Sequence, residues 1–279
     1  MSSKFGHAGS NSWCWPSRER PGGRCDAAAA LLGVSDRRPG KDSKMTTVVD
    51  EVLIGQVRPL GKRAAPSGID KRPVPGRLAL SRNGLDGDAQ GDPKRHGGPD
   101  KALHHYPFDH YAHWRDVLPQ PAILASAGAF GENLSTQGLT ESDVAVGDTF
   151  RLGGSLIQVS QGRQPCWKLN ERFGSPAMST DVQRSGRTGW YYRVLEQGEI
   201  GKGDRLTLVD RLSPQWTIER LWRLFYVDTM DLDALRQVSE LTHLPESWRG
   251  YAAKRLASRQ VEDWSRRLHG EPAAQPPDG

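Results

Sequence analysis

The chain has 279 residues, a length that predicts about two domains, and its composition excludes a membrane-spanning helix. Apolar residues make up 36% of the sequence, but no run of 18 apolar residues occurs. Of the formal net charge of +5, residues 1–44 carry +4, with 8 basic and 4 acidic residues, and the remainder carries +1. Because the basic excess lies in this N-terminal segment, the charge does not indicate direct nucleic-acid binding by the folded body.

The N-terminal segment, residues 1–44, is rich in Ser, Gly, Arg and Pro and lacks the periodicity of a helix or a strand. Such a segment buries too little apolar surface to offset the entropy lost on ordering, so we expect a disordered extension. Two interpretations stay open: the natural chain starts at Met45, or the extension is a genuine disordered arm.

Cysteine usage limits the redox chemistry of the body. Cys14 and Cys25 lie in the N-terminal extension, which leaves Cys166 as the lone cysteine of the remaining sequence. A single cysteine cannot form an internal disulfide framework there and is typical of the reducing cytoplasm, where we expect the protein.

Residues 45–212 are predicted to form a mainly β domain with a few peripheral helices. Strands are expected over residues 48–57, 77–81 and 156–160, where β-branched or alternating apolar residues occur. Aromatic residues at positions 108, 111 and 114 share one face of a predicted helix over residues 108–118.

One weak internal repeat occurs in this region. The sequences Val144-Ala-Val-Gly-Asp148 and Ile200-Gly-Lys-Gly-Asp204 each place a Gly-Asp turn before alternating apolar residues. The repeat indicates either a β-barrel with two related halves or two ordinary turns.

The sequence changes to helical periodicity near residue 212. Thr217 and Asp231 are suited to cap two amphipathic helices, and residues 246–268 predict one or two more. We therefore expect a small all-α domain over residues 213–270, followed by a disordered end at residues 271–279.

Potential metal ligands are concentrated in residues 86–113. A metal site, and with it a metal-dependent hydrolase, is one interpretation, but the spacing matches no specific motif. His110 and His113 on a surface helix are better explained as hydrogen-bonded or solvated residues. The segment holds five of the eight histidines and five aspartates: His96, His104, His105, His110, His113, Asp86, Asp88, Asp92, Asp100 and Asp109.

Two glycine-containing turns are candidate ligand contacts. In His96-Gly-Gly-Pro-Asp-Lys101, a tight turn would let backbone N–H groups approach an anion or a pterin, with a histidine and a lysine beside it. In Phe130-Gly-Glu-Asn-Leu134, Glu132 and Asn133 are suited to hydrogen-bond the edge of a heterocycle. A capped turn is the alternative for the second motif.

The segment Ser160-Gln-Gly-Arg-Gln-Pro-Cys-Trp-Lys168 places Cys166 on a loop after a predicted strand, near Arg163 and Lys168. Positive charge stabilises a thiolate, which is the form of cysteine that binds metals and attacks electrophiles. An inert packed cysteine is the alternative interpretation.

Three arginines, Arg184, Arg187 and Arg193, lie in and around the segment Gly186-Arg-Thr-Gly-Trp190. Arginine and backbone N–H donors suit a phosphate, and tryptophan suits a flat ring. A surface hairpin would produce the same pattern.

Taken in their order along the chain, these motifs resemble the MOSC family, the type of domain found at the C-terminus of molybdenum-cofactor sulfurases, and specifically its YiiM-type members. The resemblance covers about residues 48–212, and the helical remainder resembles the three-helix extension of this subgroup. Gly162 stands where proline is usual, which predicts a looser loop before Cys166. The matching segments are Gly84-Leu-Asp-Gly-Asp88, His96-Gly-Gly-Pro-Asp-Lys101, His105-Tyr-Pro107, Phe130-Gly-Glu-Asn-Leu-Ser135, Gly138-Leu-Thr-Glu141, Gln158-Val-Ser-Gln161, Arg163, Pro165-Cys166, Lys168-Leu-Asn170 and Gly189-Trp190.

The resemblance implies a MOSC-type β-barrel over residues 45–212 and a bound molybdenum cofactor, molybdenum with molybdopterin. It implies that the thiolate of Cys166 ligates molybdenum, so Cys166 is the candidate catalytic residue. The implied activity is reduction of N-hydroxylated compounds, such as hydroxylamino-purines, to amines. The candidate cofactor-binding residues are Arg163, Lys168, Arg187 and Arg193 for the pterin phosphate, and His96, Gly97, Gly98, Lys101 and Asn133 for other contacts.

The resemblance also implies partners. Because the sequence contains no flavin or nicotinamide motif, electrons would come from a separate flavin-type reductase. A homodimer is a further expectation, whereas membrane association is not expected. The alternative function is a sulfur carrier that holds a persulfide on Cys166, although no sulfurase domain or pyridoxal-binding lysine is recognisable in the sequence.

Overall fold

A computed structural model of the protein describes residues 45–119 and 121–270. The predictions for residues 1–44 and 271–279 fall outside this part of the chain. The strands are β1 (Thr46–Val48), β2 (Glu51–Gly55), β3 (Arg58–Leu60), β4 (Ala65–Ser67), β5 (Lys71–Pro73), β6 (Arg77–Ser81), β7 (Gly84–Leu85), β8 (Leu103–His105), β9 (Leu134–Ser135), β10 (Asp148–Leu152), β11 (Ser155–Gly162), β12 (Trp190–Glu196), β13 (Gly198–Gly201) and β14 (Arg205–Arg211). The helices are α1 (Pro93–His96), α2 (His110–Val117), α3 (Lys168–Phe173), α4 (Met178–Ser185), α5 (Ile218–Tyr226), α6 (Leu232–Glu240), α7 (Glu246–Ser258) and α8 (Ser265–His269), with 3-10 turns at Pro99–Lys101 and Pro121–Leu124.

Nine strands form one sheet that curls into a half-barrel, in the order β1-β14-β10-β11-β12-β8-β9-β2-β5. Successive side chains of a strand point to opposite faces of a sheet. In β12, Trp190, Tyr192 and Val194 are therefore buried in the core, whereas Tyr191 and Arg193 are half-buried on the other face. The predicted mainly β fold with peripheral helices and a C-terminal helical region is confirmed.

The predicted strand over residues 48–57 is two strands in the structure. β1 pairs with β14, whereas β2 pairs with β9 and β5, so the two strands occupy different positions in the sheet. The chain leaves the first strand at Val49 and Asp50, whose backbone N–H groups donate to Asp204 and Ser135 carbonyls. The continuous β-branched pattern could not indicate this break.

The internal repeat corresponds to two neighbouring antiparallel strands, β10 and β14. Phe150 pairs with Leu208 and Leu152 with Leu206. The similar patterns therefore reflect two strands that bury apolar side chains in the same core, next to one another in the sheet.

The predicted helix caps in the C-terminal region are confirmed. The Thr217 hydroxyl accepts from the Arg220 backbone N–H at 3.1 Å, and the Asp231 carboxylate accepts from the Ala234 N–H at 3.0 Å. Residues 246–268 contain two helices, α7 and α8. Among the helices of the described residues, none is long and apolar enough to cross a membrane.

The C-terminal helices and the sheet share one hydrophobic core. Leu221 of α5 and Trp248 of α7 belong to the same buried cluster as Val159 and Trp190 of the sheet. A second cluster, which includes Trp114, packs under α2, α3 and α4. The C-terminal helices α5 and α7 thus pack against the sheet close to Gly162, the last residue of β11.

Candidate active site

Cys166 lies in the loop of residues 163–167, which joins the end of β11 to the start of α3. Its Sγ lies 3.4 Å from Nε2 of His96 and accepts a hydrogen bond from the backbone N–H of Lys168. The residue is half-buried and lines an open pocket. The fold therefore presents the sulfur to a cavity, which favours a reactive cysteine over an inert packed one.

The surroundings of Cys166 stabilise its thiolate. Burial by itself raises the pKa of the thiol, but the hydrogen bond and charge of His96, the charge of Arg163 and the Lys168 N–H outweigh burial. Together they lower the pKa of Cys166 to about 7. A substantial fraction of the sulfur is then ionised at neutral pH, as a metal ligand or a nucleophile requires.

The pocket has a volume of about 640 Å³, including its open mouth. Cationic, imidazole, amide and aromatic side chains converge on it, which is typical of a site for a polar, partly aromatic ligand. The lining residues are Ser67, Gly68, Ile69, Lys71, Ala89, Gln90, Gly91, His96, Lys101, His104, Phe130, Gly131, Asn133, Arg163, Gln164, Cys166, Lys168 and Tyr191.

Two loops that line the pocket approach each other closely because glycine lacks a side chain. A Cβ on Gly68 would lie 1.8 Å from the Ala89 carbonyl oxygen, and one on Gly91 would lie 2.2 Å from the Pro66 carbonyl oxygen. A side chain at either position would force backbone segments apart. The local shape of the pocket therefore depends on these two glycines.

The turn from His96 to Lys101 lines the pocket through its two ends. Gly97 and Gly98 do not line the pocket: the Gly97 N–H donates to the Pro93 carbonyl, and Gly98 turns the chain at a φ of +96°. The expected role of Gly97 as a ligand-facing N–H donor is thus wrong in geometry, because α1 already uses that N–H. The glycines shape the turn that brings His96 and Lys101 to the same cavity.

Asn133 and Glu132 have structural partners. The Asn133 amide donates to the Leu53 carbonyl at 3.1 Å and to Asp88 at 3.0 Å, and its oxygen accepts from the His104 N–H. Glu132 is fully buried, where its carboxylate accepts N–H bonds from its own turn. Asn133 therefore contributes to the wall without a free donor, and the capped-turn interpretation describes Glu132.

Three of the basic residues predicted for the site line the pocket. Lys168 donates to the Pro66 carbonyl at 2.9 Å, and Lys101 donates to the Arg95 carbonyl at 2.5 Å. Burial lowers the pKa of Lys101, an effect that the charge of Cys166 partly opposes. Arg163 is 6% exposed, and its Nη1 is buried without a hydrogen-bond partner. Of the predicted cofactor-binding residues, Arg163, Lys168 and Lys101 therefore line this one cavity.

Arg193 and Arg187 do not line this pocket. Arg193 donates to Asp100 at 2.7 Å and to the His243 carbonyl at 2.8 Å, so it secures the turn that carries Lys101. Arg187 lines a separate surface cavity beside His110. Their predicted role as direct phosphate ligands is corrected: β12 directs Arg193 to the turn, and Arg187 lies at another cavity.

The histidines of residues 86–113 separate in the fold. His105 contacts Tyr192 and Thr136 at 3.1 and 2.9 Å, and His110 contacts Glu141 at 2.7 Å. In the part of the chain that the structure describes, no three His, Cys, Asp or Glu side chains are grouped to hold a metal. The hydrogen-bonded interpretation therefore describes His110, which is buried rather than on an open surface.

Sequence reasoning missed several residues of the pocket wall, notably Lys71 and Tyr191, and it named His104 only as a potential metal ligand. Lys71 is buried against Asp88, and burial lowers the pKa of this lysine in spite of the carboxylate. No local pattern marks Lys71 as a site residue. The strand alternation in Trp190-Tyr191-Tyr192 was the available signal for Tyr191, because it places the middle side chain on the face opposite to its two neighbours.

Unpaired buried polar atoms test whether the pocket fits an anionic, hydrogen-bonding cofactor. Nδ1 of His96 and Nη1 of Arg163 are both buried without a partner, and both residues line the pocket. Because unpaired buried donors are costly, such atoms indicate a ligand that supplies acceptors. With the adjacent thiol, this donor set fits a metal-bearing pterin phosphate.

Comparison with known families agrees with the fold. The sequence model of the MOSC domain matches residues 92–207, and that of the YiiM-like, 3-alpha helix domain matches residues 216–259. MOSC domains are associated in general with molybdenum-cofactor binding. Cys166 lies inside the first match and α8 lies beyond the end of the second.

Individual relatives extend this similarity over most of the chain. The chain is 44% identical over 223 residues to protein YiiM of Escherichia coli, covering 79% of this chain and 98% of that protein. A crystal structure of YiiM from Escherichia coli has a TM-score of 0.69 at 38% identity, covering 81% of this chain and 100% of that one. A protein named reductase from Gibberella moniliformis is 38% identical over 176 residues, 63% of this chain and 31% of that protein. The chain therefore belongs to the MOSC family, among the YiiM-like proteins that carry a C-terminal three-helix domain.

Proposed function

We propose that the protein is an oxidoreductase that binds a molybdenum cofactor and reduces N-hydroxylated compounds to amines. The observation that carries the proposal is the Cys166 thiol, which faces a cationic pocket and has a pKa lowered to about 7. A thiolate is the form that ligates a soft metal. The family membership and the relative named reductase support the same class of activity.

The residues of the pocket divide into two groups around Cys166. Arg163, Lys168 and Lys101 supply the positive charge that a pterin phosphate requires. Tyr191, half-buried at the pocket, supplies an aromatic ring suited to a flat ligand ring. Cys166 would ligate molybdenum, and the bound cofactor would supply the two-electron redox chemistry.

The reaction needs protons as well as electrons. An N-hydroxylated amine takes up two electrons and two protons to give the amine and water, so the site must deliver protons to the departing oxygen. His96 and Lys101 line the pocket, and imidazole and amine side chains are common general acids. We propose that these two residues supply protons and that solvent at the open mouth restores them.

Electrons would come from a separate flavin-type reductase, since the sequence has no flavin or nicotinamide motif. The small-molecule substrate, the cytoplasmic location and a homodimer are further parts of the proposal. The persulfide carrier remains the alternative, because the low pKa of Cys166 also suits sulfur transfer.

The test uses full-length protein produced in a host that makes the molybdenum cofactor. Elemental analysis should find molybdenum near one atom per chain, and the protein with an artificial electron donor should reduce a hydroxylamino-purine under anaerobic conditions. Cys166→Ser should lose both properties, whereas His113→Gln, a half-exposed histidine outside the pocket, should retain them. A molybdenum-free wild type that carries a persulfide on Cys166 would support the carrier function instead.

A further inference from the structure

The C-terminal helix α8 holds the loop that carries Cys166. Arg267 donates through Nη1 to the Pro165 carbonyl, and the Arg267 carbonyl accepts from the Trp167 N–H at 2.8 Å. These two bonds secure the residues immediately before and after Cys166. The chain on each side of the sulfur is therefore tied to one residue of α8.

The guanidinium of Arg267 has further partners that fix its own position. Its Nη2 donates to Gln183 of α4 at 2.6 Å, and its Cζ lies 4.9 Å from the ring centroid of Trp264 and 5.9 Å from that of Tyr226. A lysine, whose donors share one nitrogen, would not reproduce the planar fork with which Arg267 donates from two nitrogens to Pro165 and Gln183.

Leu268 extends the same attachment through its backbone. Its carbonyl accepts from the Asn170 side chain of α3 and from the Ser179 hydroxyl of α4, each at 2.8 Å. The short α8 is thereby hydrogen-bonded to the Cys166 loop and to α3 and α4, the two helices that follow the loop in the chain. Its attachment rests on hydrogen bonds as well as on apolar packing.

The segment before α8 is anchored to the helical domain. Arg255 of α7 is fully buried and pairs with Glu262 at 2.8 Å, and it also donates to the Phe225 carbonyl at 3.0 Å. Residues 260–270 follow the part of the chain that matches the three-helix family model, which ends at residue 259. They connect that domain to the Cys166 loop.

The last residue of β11, directly before the loop, is a glycine. A Cβ on Gly162 would meet the nearest atoms, in Ile218 and Trp248, at an unstrained 3.6 and 3.7 Å. The fold thus does not require glycine at this position, and glycine increases the conformational freedom of the chain.

We propose that residues 260–270 act as a clamp that positions Cys166, with Arg267 as the positioning residue that fixes the loop of residues 163–167. The clamp keeps Sγ of Cys166 beside His96 and facing the pocket. The role of Cys166 in the reaction rests on the proposed function, but the mechanical role of Arg267 does not.

Hydrogen–deuterium exchange of the full-length, metal-free protein tests the clamp. In Arg267→Ala, the amides of residues 163–170 should exchange at least about tenfold faster, which corresponds to the loss of a charge-assisted hydrogen bond. Exchange in β12, residues 190–196, should not change. Arg267→Lys should give an intermediate rate, and His269→Ala, an exposed residue of the same helix, should match the wild type.

Two results would overturn the clamp. One is unchanged exchange of residues 163–170 in Arg267→Ala. The other is an equal acceleration in β12, which would show a general loss of stability. Molybdenum content in protein from a cofactor-producing host gives a second readout, expected to fall from wild type to Arg267→Lys to Arg267→Ala. Absence of molybdenum from the wild type would count against the proposed function, and the exchange result would still decide the clamp.

Discussion

Nε2 of His96 lies 3.4 Å from Sγ of Cys166, although 70 positions separate the two residues in the chain. The contact joins a loop after β11 to the end of α1. It gives the thiol a partner whose hydrogen bond and positive charge favour the thiolate, against the opposing effect of burial. The chemistry of the cysteine is therefore set by a residue from a distant motif.

This contact predicts the titration of Cys166 in the metal-free protein. The rate of alkylation by iodoacetamide should rise with pH around a midpoint near 7, the lowered pKa of the thiol. His96→Gln removes the hydrogen bond and the electrostatic interaction with which His96 lowers the pKa of Cys166, so the midpoint should move up by about one unit or more and the rate at pH 6 should fall about tenfold. His113→Gln serves as the control. An unchanged midpoint in His96→Gln would show that the contact does not tune the thiol.

Gly91 is expected to maintain the pocket. A Cβ would lie 2.2 Å from the Pro66 carbonyl oxygen and 2.6 Å from the Ser67 nitrogen, so Gly91→Ala should separate the two loops. We expect a loss of about 1–3 kcal/mol in the free energy of unfolding, as for overpacking elsewhere, and a lower molybdenum content. Gly250→Ala is the matched control, since a Cβ on this exposed residue of α7 would meet nothing within 4 Å. That control should stabilise the helix by about 0.5–1 kcal/mol. Urea denaturation measures both, and equal effects would contradict the steric argument.

The buried pair of Arg255 and Glu262 should contribute far more to stability than an exposed pair. Glu262→Ala leaves a fully buried guanidinium without its carboxylate, which typically costs about 3–5 kcal/mol. Asp228→Ala removes the partner of Arg223 in a pair whose side chains are 52% and 54% exposed, and should cost no more than about 1 kcal/mol. Equilibrium urea unfolding distinguishes the two. Similar losses in both variants would show that Glu262 is not a buried anchor.

His105 should make the stability dependent on pH. Burial lowers the pKa of this fully buried imidazole from 6.5 to about 3. Below pH 6.5 the unfolded chain therefore binds a proton that the folded protein does not. The contribution of His105 is fully present above pH 6.5 and is lost progressively as the pH falls toward 3, by about 1.4 kcal/mol per unit.

The variant His105→Gln removes this proton uptake. The free energy of unfolding, measured with urea between pH 7 and 4.5, should fall less steeply in His105→Gln than in the wild type. Burial also lowers the pKa of His104. Part of the pH dependence of the free energy of unfolding should therefore remain in His105→Gln. The exposed His269→Gln should retain the full wild-type slope. Parallel slopes for wild type and His105→Gln would contradict the assignment.

Local sequence determined those features that depend on a few neighbouring residues. The caps at Thr217 and Asp231 were predictable because a side-chain oxygen followed by an amphipathic pattern satisfies the free N–H groups of a helix. β6 was predictable from its run of three apolar residues, and the reactive loop from a cysteine near two cations after a strand. These signals operate over short distances and do not depend on the path of the rest of the chain.

Tertiary structure alone decided which distant residues meet Cys166. The sequence contained five histidines in one segment, and only packing selected His96 as the partner of the sulfur. It also directed Arg193 to Asp100 instead of the pocket, and it brought Arg267 to the loop. Hydrogen bonds and ion pairs between elements depend on strand order and helix placement, which arise from burial of the whole apolar surface and leave no local pattern.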